Sequence, residues 1–169
     1  MKNLNVIKYL VGSKNISKRS VLPYDNNICN FLADLSDELN LNSESKNYPD
    51  IKTLAFWCRR QNINNLKKKF LSNETRVGLG LIFHITPSNV PTNFAYSLIF
   101  GLITGNSNII KVPTQNFLQV EIICKSINKL LKKKHKSIDK MISIVRYSNN
   151  DNYTKKISIN TQNDFSCSL

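Results

Sequence analysis

The chain has 169 residues, a length that fills one ordinary domain and leaves little for a second. Hydrophobic residues make up 41% and charged residues 21%, globular proportions that exclude a wholly disordered chain. Lysine and arginine number 24 against 11 acidic residues, a net charge of +13 that would suit an anionic cofactor, a nucleic acid or an acidic surface.

Residues 1 to about 25 carry two short β-like patches, Leu4–Ile7 and Tyr9–Val11, and then a polar stretch ending at Pro23. From Asn27, a suitable N-cap, Ile28, Phe31, Leu32, Leu35 and Leu39 recur at helical spacing. After a polar break, Asp50 can cap a second helix with Ile51, Leu54, Trp57, Cys58, Leu66 and Phe70 on one side and a basic opposite side. Val77 to Ile85 is almost continuously apolar, as a strand covered on both faces of a parallel sheet would be. Thr92–Thr104 has a helical apolar pattern through Phe94, Ala95, Leu98, Ile99 and Leu102, with Pro91 placed as its N1 residue and Gly105 at C′. Asn108–Val112 reads as the next strand, stopped by Pro113. Thr114 then caps an amphipathic helix with Phe117, Val120, Ile123, Cys124, Ile127, Leu130 and Leu131 inward. Met141–Val145 reads as a third strand and 151–158 as a short helix. Alternating strands and helices predict an α/β fold with a parallel sheet and right-handed crossovers.

Several function classes fall away. The longest apolar run, Phe94–Ile103, is interrupted by Tyr96, Ser97 and Gly101 and falls short of the ~20 residues of a membrane span. Met1–Lys8 lacks the apolar stretch of a secretory signal, so a soluble cytoplasmic protein is expected. The lysines are dispersed, clustering only at 67–69 and 132–136, and the richness in Asn, Lys and Ile together matches AT-rich coding bias. Solvated helix faces therefore explain the charge better than nucleic-acid binding. Four cysteines (Cys29, Cys58, Cys124, Cys167) lie far apart without metal-ligand spacing, so neither a metal nor a disulfide framework is expected. Cys58 and Cys124 read as small core residues.

The polar residues concentrate after two strands. Thr86-Pro87-Ser88-Asn89 and Lys111-Val112-Pro113-Thr114 fall at the carboxyl ends of parallel strands, the edge where open α/β sheets bind ligands. The first turn offers an amide and a hydroxyl, the second an ammonium group able to meet a ribose or a phosphate. Neither GxGxxG nor a P-loop is present, and Gly78 and Gly80 read as relieving crowding. His84, inside an apolar strand, reads as a satisfied half-buried histidine.

The stretch from Arg76 to Thr114 (RVGLGLIFHITPSNVPTNFAYSLIFGLITGNSNIIKVPT) resembles the fatty acyl-CoA reductase family of the bacterial bioluminescence type, a branch of the aldehyde dehydrogenase superfamily. The carriers are a His-Ile segment, a Pro-x-Asn-Val-Pro turn and a Gly-Asn…Lys turn, with looser similarity over Ile51–Phe70 and Phe117–Tyr147. The resemblance implies an aldehyde-dehydrogenase-like, Rossmann-type parallel sheet with flanking helices, here incomplete. It also implies NADPH-linked reduction of an acyl-CoA or acyl-protein thioester to a fatty aldehyde through a cysteine-bound acyl intermediate. Asn89 matches the catalytic asparagine whose amide helps form the oxyanion hole. Lys111 matches the lysine on the cofactor's adenosine ribose, Ile85, Thr86, Pro87 and Ser88 the segment along the nicotinamide side, and Pro113 and Thr114 continue the cofactor turn. For Asn89 the residues alone also admit a turn residue capping the following helix, and for Lys111 a solvated lysine at a strand end.

On this reading residues 1–75 form a helical segment packing on the cofactor domain, 76–160 a partial β-α-β cofactor domain, and 161–169 an irregular tail. The catalytic-cysteine domain is expected to be absent, so the isolated chain should bind NADPH weakly or not at all and be inactive alone. A downstream polypeptide or a second copy would be the partner. Cys167 lacks a neighbouring base and is not expected to be the nucleophile. An acyl-phosphate reductase fragment of the glutamyl phosphate type and a basic non-enzymatic module are the alternatives.

Overall fold

A computed structural model describes residues 7–70, 76–148 and 152–162. Its centre is a four-stranded sheet in the order β1-β4-β3-β2, formed by β1 (Lys8–Val11), β2 (Leu81–Ile85), β3 (Ser107–Lys111) and β4 (Ile142–Arg146). Strands β2, β3 and β4 run parallel, while β1 closes the far edge antiparallel to β4. This is the α/β architecture that the alternation of strands and helices predicts, with a mostly parallel sheet consistent with the incomplete Rossmann-type sheet that the resemblance implies. The antiparallel direction of the edge strand had no signal in the sequence. A bulge between Tyr9 and Val11 breaks its ladder, and the Asn128 amide donates to the Leu10 carbonyl there at 2.7 Å. Of the first β-like patch, positions 4–6 lie outside the described residues.

Three helices build the core on one sheet face: α1 (Asn26–Leu41), α4 (Asn93–Ile103) and α5 (Leu118–Lys133). Phe31 and Leu35 of α1, Leu98 and Leu102 of α4, and Ile123 and Ile127 of α5 bury against Ile110 and Ile144 of the central strands. Helix α1 starts earlier than the Asn27 cap predicts, because the Asp25 carboxylate accepts from the backbone N–H groups of Asn27 and Ile28. The stretch expected as one helix after Asp50 is two, α2 (Pro49–Trp57) and α3 (Arg60–Phe70), broken at Cys58. Tyr48 is the N-cap and Pro49 opens α2, so Asp50 lies in its first turn. Ile51, Leu54 and Cys58 are buried as predicted, whereas Trp57 is half-exposed against the Phe100 ring. A buried hydrogen bond from Ser36 to the Ala55 carbonyl, 2.7 Å, ties α2 to α1.

Two further boundaries move. The apolar run from Val77 becomes strand only at Leu81, and β2 is a half-buried edge strand rather than one covered on both faces. Val77 and Leu79 are exposed. Helix α5 begins at Leu118 with Phe117 as N-cap, so Thr114 does not cap it, and residues 112–116 form an open turn. The last helix, α6 (Tyr153–Gln162), packs by β2 on the opposite sheet face. That face also holds a cleft of about 580 Å³ lined by Tyr9, Ile109, Val145, Tyr153 and Lys156, among others. No helix among the described residues is long and apolar enough to cross a membrane.

Candidate functional site

Because β2 and β3 are parallel and in register, with Ile85 opposite Lys111, the turns after them emerge side by side. They are also joined. The Thr86 backbone N–H donates to the Lys111 carbonyl at 3.2 Å, and the Thr86 hydroxyl donates to the same oxygen at 2.9 Å. That hydroxyl therefore braces the edge. Ile85, Pro87, Ser88 and Val90 are exposed along it.

Asn89 is exposed, and its side-chain amide makes no hydrogen bond among the described residues. It does not cap α4: Thr92 is the N-cap, and the first turns close through Asn93 N–H to Val90 O and Ala95 N–H to Thr92 O. Pro91 accordingly precedes the cap and is not N1. A side chain with no role in the local fold is left at the tip of the first turn.

Lys111 is not a solvated strand-end lysine. It is 8% exposed, with its ammonium 5.1 Å from the centre of the Tyr147 ring. Burial holds its pKa below the ordinary lysine value. Tyr147 is fully buried; its hydroxyl shares a 2.9 Å hydrogen bond with Thr154, and its ring packs edge-on against Tyr153. Helix α6 thus fixes the ring that holds the lysine. Pro113 is buried beneath the second turn and Thr114 half-buried.

The Gly105-Asn106 half of the motif lies at the opposite end of β3. Gly105 takes a left-handed φ of +86° after the Thr104 C-cap of α4. Asn106 is buried; its carbonyl oxygen accepts from the Gly80 N–H at 3.1 Å, and its amide donates to the Thr104 hydroxyl at 2.8 Å. Asn108 donates to the Asn106 carbonyl and its side-chain oxygen meets His84 Nε2 at 3.0 Å, so His84 is satisfied and half-buried. Gly78 also serves packing, since a Cβ there would meet the Gly105 carbonyl at 2.5 Å. These groups set the register of β3 against β2, and register carries Lys111 to Ile85.

Sequence reasoning missed two contributors, Arg146 and Tyr147, having ended the last strand at Val145. Their signal is placement: Val145 pairs with Lys111, so the next residues reach the same edge. No described cysteine lies in either turn. Cys58 and Cys124 are buried, and burial pushes their thiols up to about 12; burial also raises that of Cys29. Cys167 lies outside the described residues.

Neither a curated protein nor a solved structure matches this chain. The pattern of the family described as acyl-CoA reductase (LuxC) matches residues 21–164, which takes in α1 through α6 and both turns. The chain belongs to the acyl-CoA reductase (LuxC) family.

Proposed function

We propose that this chain serves NADPH-dependent reduction of a fatty acyl thioester to an aldehyde, in the cytoplasm and in a luminescence-type pathway, by supplying the oxyanion donor and the cofactor edge. The observation that supports this reading is the joining of the two turns through Thr86 and the Lys111 carbonyl, the first turn carrying an exposed amide without a partner among the described residues and the second a buried lysine. The edge suits a dinucleotide. Ile85 and Val90 offer apolar surface, Ser88 a hydroxyl, and Lys111 a charge that burial has already stripped of most of its water.

Lys111 holds the ribose end of the cofactor, with Pro113 and Thr114 shaping the turn around it; Ile85, Thr86, Pro87 and Ser88 line the path toward the reacting end. When bound, reduced nicotinamide supplies the hydride. Asn89 donates its amide N–H to the thioester carbonyl oxygen as negative charge develops there, and a donor of this kind changes rate by ~10²–10³-fold. The attacking thiolate comes from outside the described residues, because Cys58 and Cys124 are buried and protonated and Cys29 lies on α1 away from both turns. A second polypeptide supplying that thiolate completes the site.

Saturation-transfer NMR on the full chain with millimolar NADPH tests the cofactor placement, since it detects weak binding. Transfer should appear and fall about tenfold in Lys111→Met, and Asn89→Ala should leave it unchanged. Undiminished transfer in Lys111→Met, or none in the native chain, removes the cofactor placement.

A further inference from the structure

We propose that Arg146, Asn116 and the amino end of α5 form a seat for the phosphate monoester of a nucleoside ribose, beside the Lys111 turn. This rests on the cofactor edge proposed above and adds to it the recognition of a ribose phosphate.

Arg146 ends β4, one position beyond the partner of Lys111, yet it is 4% exposed. Among the described residues, only one of its side-chain nitrogens is satisfied: Nη1 donates to the Asn116 side-chain oxygen. Nε and Nη2 are fully buried and have no partner there. No carboxylate lies within ion-pair distance of the guanidinium among the described residues, where the ion pairs are Lys129–Glu38, Lys134–Asp34 and His135–Asp34. A guanidinium removed from water without a counter-charge is costly, and proteins keep such a group where an anion completes it.

The second observation is independent. Helix α5 runs sixteen residues, and its N-cap, Phe117, supplies no side-chain acceptor to the first-turn N–H groups. The guanidinium contacts Asn116, the residue just before that cap, and its charge reaches Cys124 in the second turn. The amino end of α5 and a buried cation therefore meet at Asn116; the first-turn acidic residue of α5, Glu121, is exposed, and it forms no ion pair with the guanidinium among the described residues. Asn116 is exposed on the open turn, so its neutral oxygen occupies the position that a phosphate oxygen takes when the side chain swings outward. Lys8, paired with Arg146 on β1, adds positive potential on the same sheet face, whereas Lys111, paired with Val145, turns to the Tyr147 face. A dianionic monoester matches this charge far better than a neutral ribose.

Two cofactors of acyl-CoA reduction carry such a group, NADPH at the ribose 2′ position and coenzyme A at the 3′ position, and phosphorus NMR of the full chain separates them. The line of adenosine 2′-phosphate or adenosine 3′-phosphate should broaden on addition of protein, and whichever binds identifies the source. Asn116→Asp places a carboxylate on the guanidinium; it should weaken that binding about tenfold or more and raise the melting temperature by a few degrees. Arg146→Met should abolish the broadening. Should Arg146→Met not fold, Asn116→Asp, on an exposed turn, decides alone. Unchanged broadening in Asn116→Asp, or broadening by neither nucleotide, overturns the seat. Saturation transfer to NADH, which lacks the ribose phosphate, and its loss in Lys111→Met report on the cofactor edge separately, so either reading can fail while the other stands.

Discussion

The ammonium of Lys111 stands 5.1 Å from the centre of the Tyr147 ring. Strand β3 supplies the charge, and the residue just beyond β4 supplies the ring. Tyr147→Leu removes both the cation–ring contact and the hydroxyl bond to Thr154, and should lower stability by about 2–4 kcal/mol. Tyr147→Phe keeps the ring and should cost about 1 kcal/mol. Urea unfolding of the two variants measures the difference; equal losses would show that the ring does not hold the lysine.

Burial depresses the Lys111 pKa, which gives its titration a definite sign. Between the lowered folded value and the ordinary 10.5, the unfolded chain binds more protons than the folded one. The Lys111 contribution to stability therefore rises with pH through that window. Lys111→Met should lack this rise, read as a flatter melting temperature against pH on the alkaline side.

At acid pH the relevant pair is Asp34 and His135, whose carboxylate and Nε2 lie 2.9 Å apart. Burial alone would raise the Asp34 pKa, but the His135 hydrogen bond and the Lys134 charge outweigh it and hold the carboxyl below its usual 3.8. A depressed folded value means stability that is present above 3.8 and lost as pH falls through the folded value. Asp34→Asn should remove that acid-limb loss, and an unchanged acid limb would place the titration elsewhere.

Asn106→Ala should destabilise by about 1–3 kcal/mol, because the buried Gly80 N–H loses its acceptor and the Thr104 hydroxyl loses the one bond it accepts from Asn106. Since Asn106 sets register at the far end of β3, the variant should also disturb the Thr86–Lys111 contact, visible as faster amide exchange at Thr86.

Asn89→Ala should change stability by less than about 0.5 kcal/mol, because an exposed amide with no partner among the described residues contributes little to the fold. With the thiolate-bearing partner present, the same variant should lower the rate of acyl-CoA reduction by ~10²-fold. A large stability loss would reassign Asn89 to the fold.

Helical periodicity and strand alternation were legible in the sequence, because burial of an apolar face demands the same spacing wherever a helix or strand packs. Ile28 through Leu39, Phe94 through Leu102 and Val120 through Leu131 all bury the predicted faces. Cap residues were less legible. Asp25, Tyr48, Thr92 and Phe117 close or open helices where Asn27, Asp50, Pro91 and Thr114 fit the local rules equally well, and packing made the choice. The two turns were readable as one edge, since parallel strands share direction.

By itself, then, the sequence determined the three parallel strands, the buried helix faces and the common edge of the Asn89 and Lys111 turns, but not the antiparallel edge strand. What it determined follows from local spacing. Tertiary structure alone decided that Lys111 is buried against Tyr147, that Asn106 works at the opposite end of its strand, and that Arg146 is a buried cation without a counter-charge among the described residues. Burial and partnership depend on residues far apart in the chain, and no local pattern records which of them will meet.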